Sequence, residues 1–196
     1  MVSRKYTDDY RTEHVRDANG KVVHKAVYIG PYFVHTEAPA AVALSKKLCL
    51  PVCIALWVLF VVCFLQNGVA ARQWWVSVFY LFSAVALIPT TWSAISLLLA
   101  KEPMDRETSD DLSRRYKKMT LGFTVLTAAA VAAGVVACLV YGAFEMPGDL
   151  LFLGGNAVSS LLGLLLFSRK KSFETREISR HSEEFAGLLE AKTAKK

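Results

Sequence analysis

The chain has 196 residues, 54% of them hydrophobic, and a formal net charge of +6; its mean hydropathy is +0.34. A soluble domain of this length would disperse its apolar residues at helical or strand spacing. Here they run in blocks long enough to cross a bilayer as helix, which takes about 20 residues. This excludes a soluble globular domain, and the acidic residues beside the basic ones argue against nucleic-acid binding.

Residues 1–45 are polar and form the first segment. Two strand-like runs, Thr12 to Asp17 and Lys21 to Ile29, flank Asp17-Ala-Asn-Gly20, a sequence suited to a type I turn closed by a glycine bulge. That turn predicts a β-hairpin in which Val15 faces Val23, His14 faces His24 and Glu13 faces Lys25. A two-stranded hairpin is marginal by itself in water, so it must gain a strand, a partner or a surface. The aromatic stretch from Tyr28 to Phe33 is the candidate docking face, with Pro31 ending the strand. His14, His24 and His35 lack the spacing of a zinc site and read as solvated strand histidines. No secretory signal is expected, since the first apolar block opens only near Leu48.

Residues 46–168 hold four expected spans, at about 47–66, 74–100, 119–144 and 150–167. Pro51 falls in the first turn of the first span, where it is tolerated. Trp74 and Trp75 open the second at a membrane–water interface. Pro89 interrupts the second span near Thr90, Thr91 and Ser93, whose hydroxyls are available to the carbonyls it disturbs. The middle loop, Lys101 to Lys118, is densely charged, with Thr108 or Ser109 able to cap a short helix. The third and fourth spans are joined only by Glu145 to Asp149 and must be antiparallel neighbours. Ala130, Gly134, Cys138 and Gly142 on one, and Gly155, Ser159 and Gly163 on the other, form a candidate helix-packing seam of small residues. Counting outward from the turn sets Asn156 level with Cys138, and Ser159 or Ser160 level with Gly134. The four cysteines all fall within spans and read as packing residues.

Residues 169–196 form a polar tail. Phe173, Ile178, Phe185, Leu188 and Leu189 give it a partial apolar stripe, predicting a C-terminal amphipathic helix. The basic residues set the orientation. Lys46 and Lys47 precede the first span, six Lys or Arg lie in the middle loop and Arg169 to Lys171 follow the fourth span, while the opposite loops hold only Arg72. The positive-inside rule puts both termini and the middle loop in the cytoplasm, and the overall pattern is that of a bacterial plasma (inner) membrane protein.

The expected fold is thus an all-α four-transmembrane-helix bundle with a small N-terminal cytoplasmic β-hairpin and a C-terminal cytoplasmic amphipathic helix. No span carries a carboxylate, lysine, arginine or histidine at depth, which argues against a proton-coupled or ion pump. Nucleotide-binding, nucleophile-elbow and zinc-protease motifs are missing, so no catalytic residue, metal or cofactor is expected. Small multidrug exporters share the helix count, but their pattern needs a glutamate buried in the first span. What remains is a non-enzymatic accessory subunit that anchors or regulates a membrane assembly, with the lipid bilayer and another membrane protein as partners. The alternative is a homo-oligomeric carrier or channel for a neutral or hydrophobic solute, its path lined by Thr90, Thr91, Ser93, Asn156 and Ser160.

Overall fold

The structure is a computed structural model and describes residues 4–16 and 22–179. It is mostly helical, with four helices long and apolar enough to cross a membrane. These are α1 (Pro39–Phe64), α3 (Trp74–Leu99), α4 (Arg106–Tyr141) and α5 (Gly148–Ser168), and a one-turn helix α2 (Val69–Arg72) sits between α1 and α3. Strands β1 (Tyr10–Arg16) and β2 (Val22–Tyr28) precede them, followed by β3 (Tyr32–His35); β4 (Thr175–Ile178) comes last.

The helices form an up-down-up-down bundle. α4 packs most extensively on α3 and next on α5, while α1 packs on α5 and α3, so each helix lies between two antiparallel neighbours. α1 begins at Pro39, eight residues before the expected span, because proline at the first helical position costs no backbone bond. Pro51 is therefore inside the helix, not in its first turn. Helix α4 also differs from expectation: the charged middle loop is helical from Arg106 onward and continuous with the third span. Asp105, rather than Thr108 or Ser109, is its cap, accepting 3.0 Å from the Thr108 amide. At 36 residues, α4 is about 54 Å long, well beyond the roughly 30 Å of a hydrocarbon core.

One buried stripe runs the length of α4 through Leu112, Tyr116, Thr120, Phe123, Thr127, Ala130, Gly134 and Ala137. The steps are of three or four residues, which keeps the stripe in register with the 3.6-residue turn. Outward faces carry Val58, Val61, Phe82, Val85, Val125, Val136, Leu161 and Leu164, all exposed. Apolar groups outside and small or polar groups within the packing layer are the arrangement expected in lipid.

The bundle's two ends differ. At the turn end, α2 and the α4–α5 connection meet. At the other, here called the cap, β1 pairs antiparallel with β2, and β3 pairs antiparallel with β4. The hairpin register has Glu13 opposite Lys25, His14 opposite His24 and Val15 opposite Val23, as the turn sequence predicts; Asp17 to Gly20 lie outside the described residues. β4 corrects the amphipathic-helix expectation over residues 175–178: Tyr32 pairs with Ile178 and His35 with Thr175. A waiting strand edge outcompetes a short helical stripe, because it satisfies the backbone groups of both segments. Phe185, Leu188 and Leu189 lie outside the described residues.

Candidate interaction surface at the cap

The cap joins segments far apart in sequence, and tyrosine hydroxyls do much of the joining. The Tyr6 hydroxyl donates to Asp110 Oδ2 at 2.9 Å, and that of Tyr10 to Asp105 Oδ2 at 3.1 Å. The Tyr28 hydroxyl donates to the Pro31 carbonyl at 2.6 Å and accepts from the Arg106 amide at 2.9 Å. The hairpin is thereby fixed to the first turns of α4, where a backbone amide needs a partner. Burial and the Asp105 carboxylate push the Tyr10 hydroxyl up to about 12, and burial raises that of Tyr28. Both stay protonated donors at neutral pH.

The second sheet is anchored just as firmly. Phe33 exchanges both backbone bonds with Met104, each at 2.9 Å, so β3 is flanked on both sides. Its His35 amide donates to Glu102 Oε1 at 2.9 Å. Below it, Ser45 and Ser172 share a hydroxyl bond of 2.8 Å, Ser172 also donates to Glu37, and Tyr116 stacks on Phe173. Lys46 Nζ donates to the Ala100 carbonyl at 2.8 Å, placing a cation at the C-terminus of α3. His35 is only 8% exposed, and neither ring nitrogen has a hydrogen-bond partner among the described residues. Desolvation lowers its pKa below the usual 6.5, and Lys46 adds to this while Glu102 opposes it. His35 is thus a buried neutral histidine, not the solvated strand residue expected. Among the described residues no group of three or more His, Cys, Asp or Glu is placed to hold a metal ion.

The expected packing seam is rearranged. Gly163 does meet α4: a Cβ there would lie 2.5 Å from Thr124 Oγ1. Gly134 faces Leu153 of α5 and Ala70 of α2. Gly155, however, faces Cys63 of α1. A Cβ on Gly142 would meet nothing within 4 Å among the described residues; with φ of 59° Gly142 ends α4, its amide bonding the Leu139 carbonyl while Ala143 bonds that of Cys138, a Schellman motif. Ala130 is fully buried and Cys138 only partly so. The reason is geometric, since a strict four-residue ladder turns about 40° per step off the 3.6-residue stripe. Cys49, Cys53 and Cys63 are buried free thiols within the core.

The α4–α5 register is also offset from the one counted from the turn. Ser160 Oγ donates to Thr127 Oγ1 at 2.9 Å, so Ser160 is level with Thr127 and not with Gly134. The offset arises because α4 stops at Tyr141 and α5 starts at Gly148, both earlier than expected. Asn156 and Ser159 are buried, and Asn156 donates to the Phe152 carbonyl of its own helix at 2.9 Å. Thr90, Thr91 and Ser93 likewise bond the carbonyls of Ala86, Leu87 and Pro89. Thr91 also accepts from Trp57 Nε1 at 3.0 Å. These side chains satisfy backbone and one another.

Sequence reading missed Tyr6, Tyr10, Asp105, Thr127 and Asp149. Thr120, Thr124 and Thr127 do carry a signal, being polar residues at three- and four-residue spacing in line with Tyr116 and Ala130. Comparison of the chain with known protein families, curated proteins and solved structures finds no match.

Proposed function

We propose that this chain is a non-catalytic accessory subunit of a membrane assembly, held in the plasma (inner) membrane with both termini in the cytoplasm. The cap is its contact surface for another membrane protein. The observation supporting this reading is the β1–β2 hairpin, fixed to α4 by Tyr10 and Tyr28 while pairing with no third strand among the described residues. A held hairpin with open edges is prepared to accept a strand or an extended segment. The orientation follows from the basic residues, which crowd the cap side of every span.

A carrier for a neutral solute finds less support. Thr90, Thr91, Ser93, Asn156 and Ser160 each donate to a helix carbonyl, which leaves fewer donors to exchange with a passing solute.

The test replaces residues 10–28 with a short Gly-Ser linker, keeping β3 and its pairing with β4. Loss of a stoichiometric co-purifying polypeptide, with the detergent melting temperature little changed, is the expected result. Unchanged co-purification would overturn the reading.

A further inference from the structure

A groove of about 490 Å³ opens where the cap meets the bundle, lined among others by Tyr28, Tyr32, Leu99, Lys101, Met104 and Glu107. Its size suits a small ligand or a headgroup. Its depth follows from α3, whose 26 residues extend about 39 Å. That exceeds a hydrocarbon core of roughly 30 Å, so with Trp74 at one interface the Leu99 end reaches the headgroup layer of the other.

Two chemistries meet there. The apolar wall continues into the membrane, because Ile88, Trp92 and Leu99 follow one face of α3 at helical spacing and are 59%, 59% and 70% exposed. The polar wall carries opposite charges, Lys101 against Glu107 and Asp105; the Asp105 carboxylate is already engaged by the Tyr10 hydroxyl and the Thr108 amide. Neither Lys101 nor Glu107 makes a hydrogen bond or ion pair with the described residues, although both line the same groove. The rings of Tyr28 and Tyr32 line the same groove, edge to face with centroids 5.2 Å apart. The Tyr28 ring is held by the two bonds of its hydroxyl, so this wall is formed before any ligand arrives.

We propose that the groove binds the headgroup of a zwitterionic phospholipid. Glu107 and the tyrosine rings would take the ammonium, Lys101 the phosphate, and the Ile88–Trp92–Leu99 track an acyl chain. The cation and anion of such a headgroup match the two uncommitted charges, whereas an anionic lipid would set its phosphate beside Glu107 without an ammonium to offset it. This inference rests on the groove and on membrane embedding, and stands whether or not the hairpin binds a partner protein.

The test is native mass spectrometry of the detergent-solubilised full chain with short-chain phosphatidylethanolamine, phosphatidylglycerol of the same tails, or glycerophosphoethanolamine, which has no tails. Wild type should retain the ethanolamine lipid about tenfold over the glycerol lipid and retain the tail-less headgroup hardly at all. Glu107→Gln should abolish that preference, and Lys101→Gln should lower retention of both lipids. Equal retention of the two lipids by wild type would overturn the proposal, as would tail-less binding as tight as lipid binding. So would an unchanged preference in Glu107→Gln. If Glu107→Gln melts early, Lys101→Gln decides, and unchanged retention there overturns the assignment.

Discussion

The two ends of the bundle are closed by different means. At the turn end a single carboxylate does the closing. Asp149, fully buried, accepts from the Ala70 amide through Oδ1 and from the Glu145 amide through Oδ2, both at 2.8 Å. One side chain thus ties α2, the α4–α5 connection and the first turn of α5. The backbone comes so close that a Cβ on Gly68 would lie 2.7 Å from the Asp149 amide nitrogen. At the cap, by contrast, closure is distributed over strand pairing, tyrosine hydroxyls and serine pairs contributed by both terminal segments and the start of α4. A concentrated closure has one point of failure and offers little surface; a distributed one tolerates local loss and presents strands and charges outward.

The largest expected effect lies at the turn end. Asp149→Ala leaves two backbone donors without partners, at about 1–3 kcal/mol for each buried one, and the melting temperature in detergent should fall steeply. Gly68→Ala should act through the same contact, whereas Gly154→Ala, where a Cβ would meet nothing within 4 Å, should be neutral or slightly stabilising on helix propensity. That pair of glycine variants separates close approach from glycine content. The exposed Arg72–Glu145 ion pair, 3.1 Å long, should contribute little, since water and salt screen it.

Cap variants should be milder. Tyr10→Phe should cost about 1 kcal/mol and loosen the hairpin, read as faster amide exchange in β1 and β2 with the bundle amides unchanged. Smaller still is a pH effect confined to β3 and β4. The folded pKa of His35 is depressed below 6.5, so below that pH the unfolded segment binds more protons than the folded one, and stability falls as pH falls. The protection factors of the β3–β4 amides, taken against the pH-dependent intrinsic rate, should fall as pH drops below about 6.5, and His35→Leu should remove that dependence.

Legibility in the sequence follows the same division. The hairpin register could be read because a turn-type sequence, Asp17-Ala-Asn-Gly20, separates the two runs, and the four spans could be read because apolar runs mark them. Basic residues at one side of every span mark the ends as different. The cap's assembly could not be read, since Tyr6–Asp110 and Tyr10–Asp105 join residues a hundred or so positions apart with no pattern linking them. β4 took on the look of a helix because Ile178 stands seven residues before Phe185, a helical spacing, while its partner strand lies far back at Tyr32. The α4–α5 register was misplaced for a nearer reason: Gly142 is a helix stop rather than a packing residue, and counting from beyond it shifts every facing pair. Asp149 looked like an ordinary acidic residue at a span end, although its value comes from two amides supplied by other segments.

The central claim, a partner held through the cap, is tested most directly by native mass spectrometry of the full chain gently extracted from its host membranes, beside the variant lacking residues 10–28. The account predicts a second polypeptide in fixed stoichiometry with the full chain and its loss from the variant. A homo-oligomer alone, or a second polypeptide retained equally by both, would contradict it.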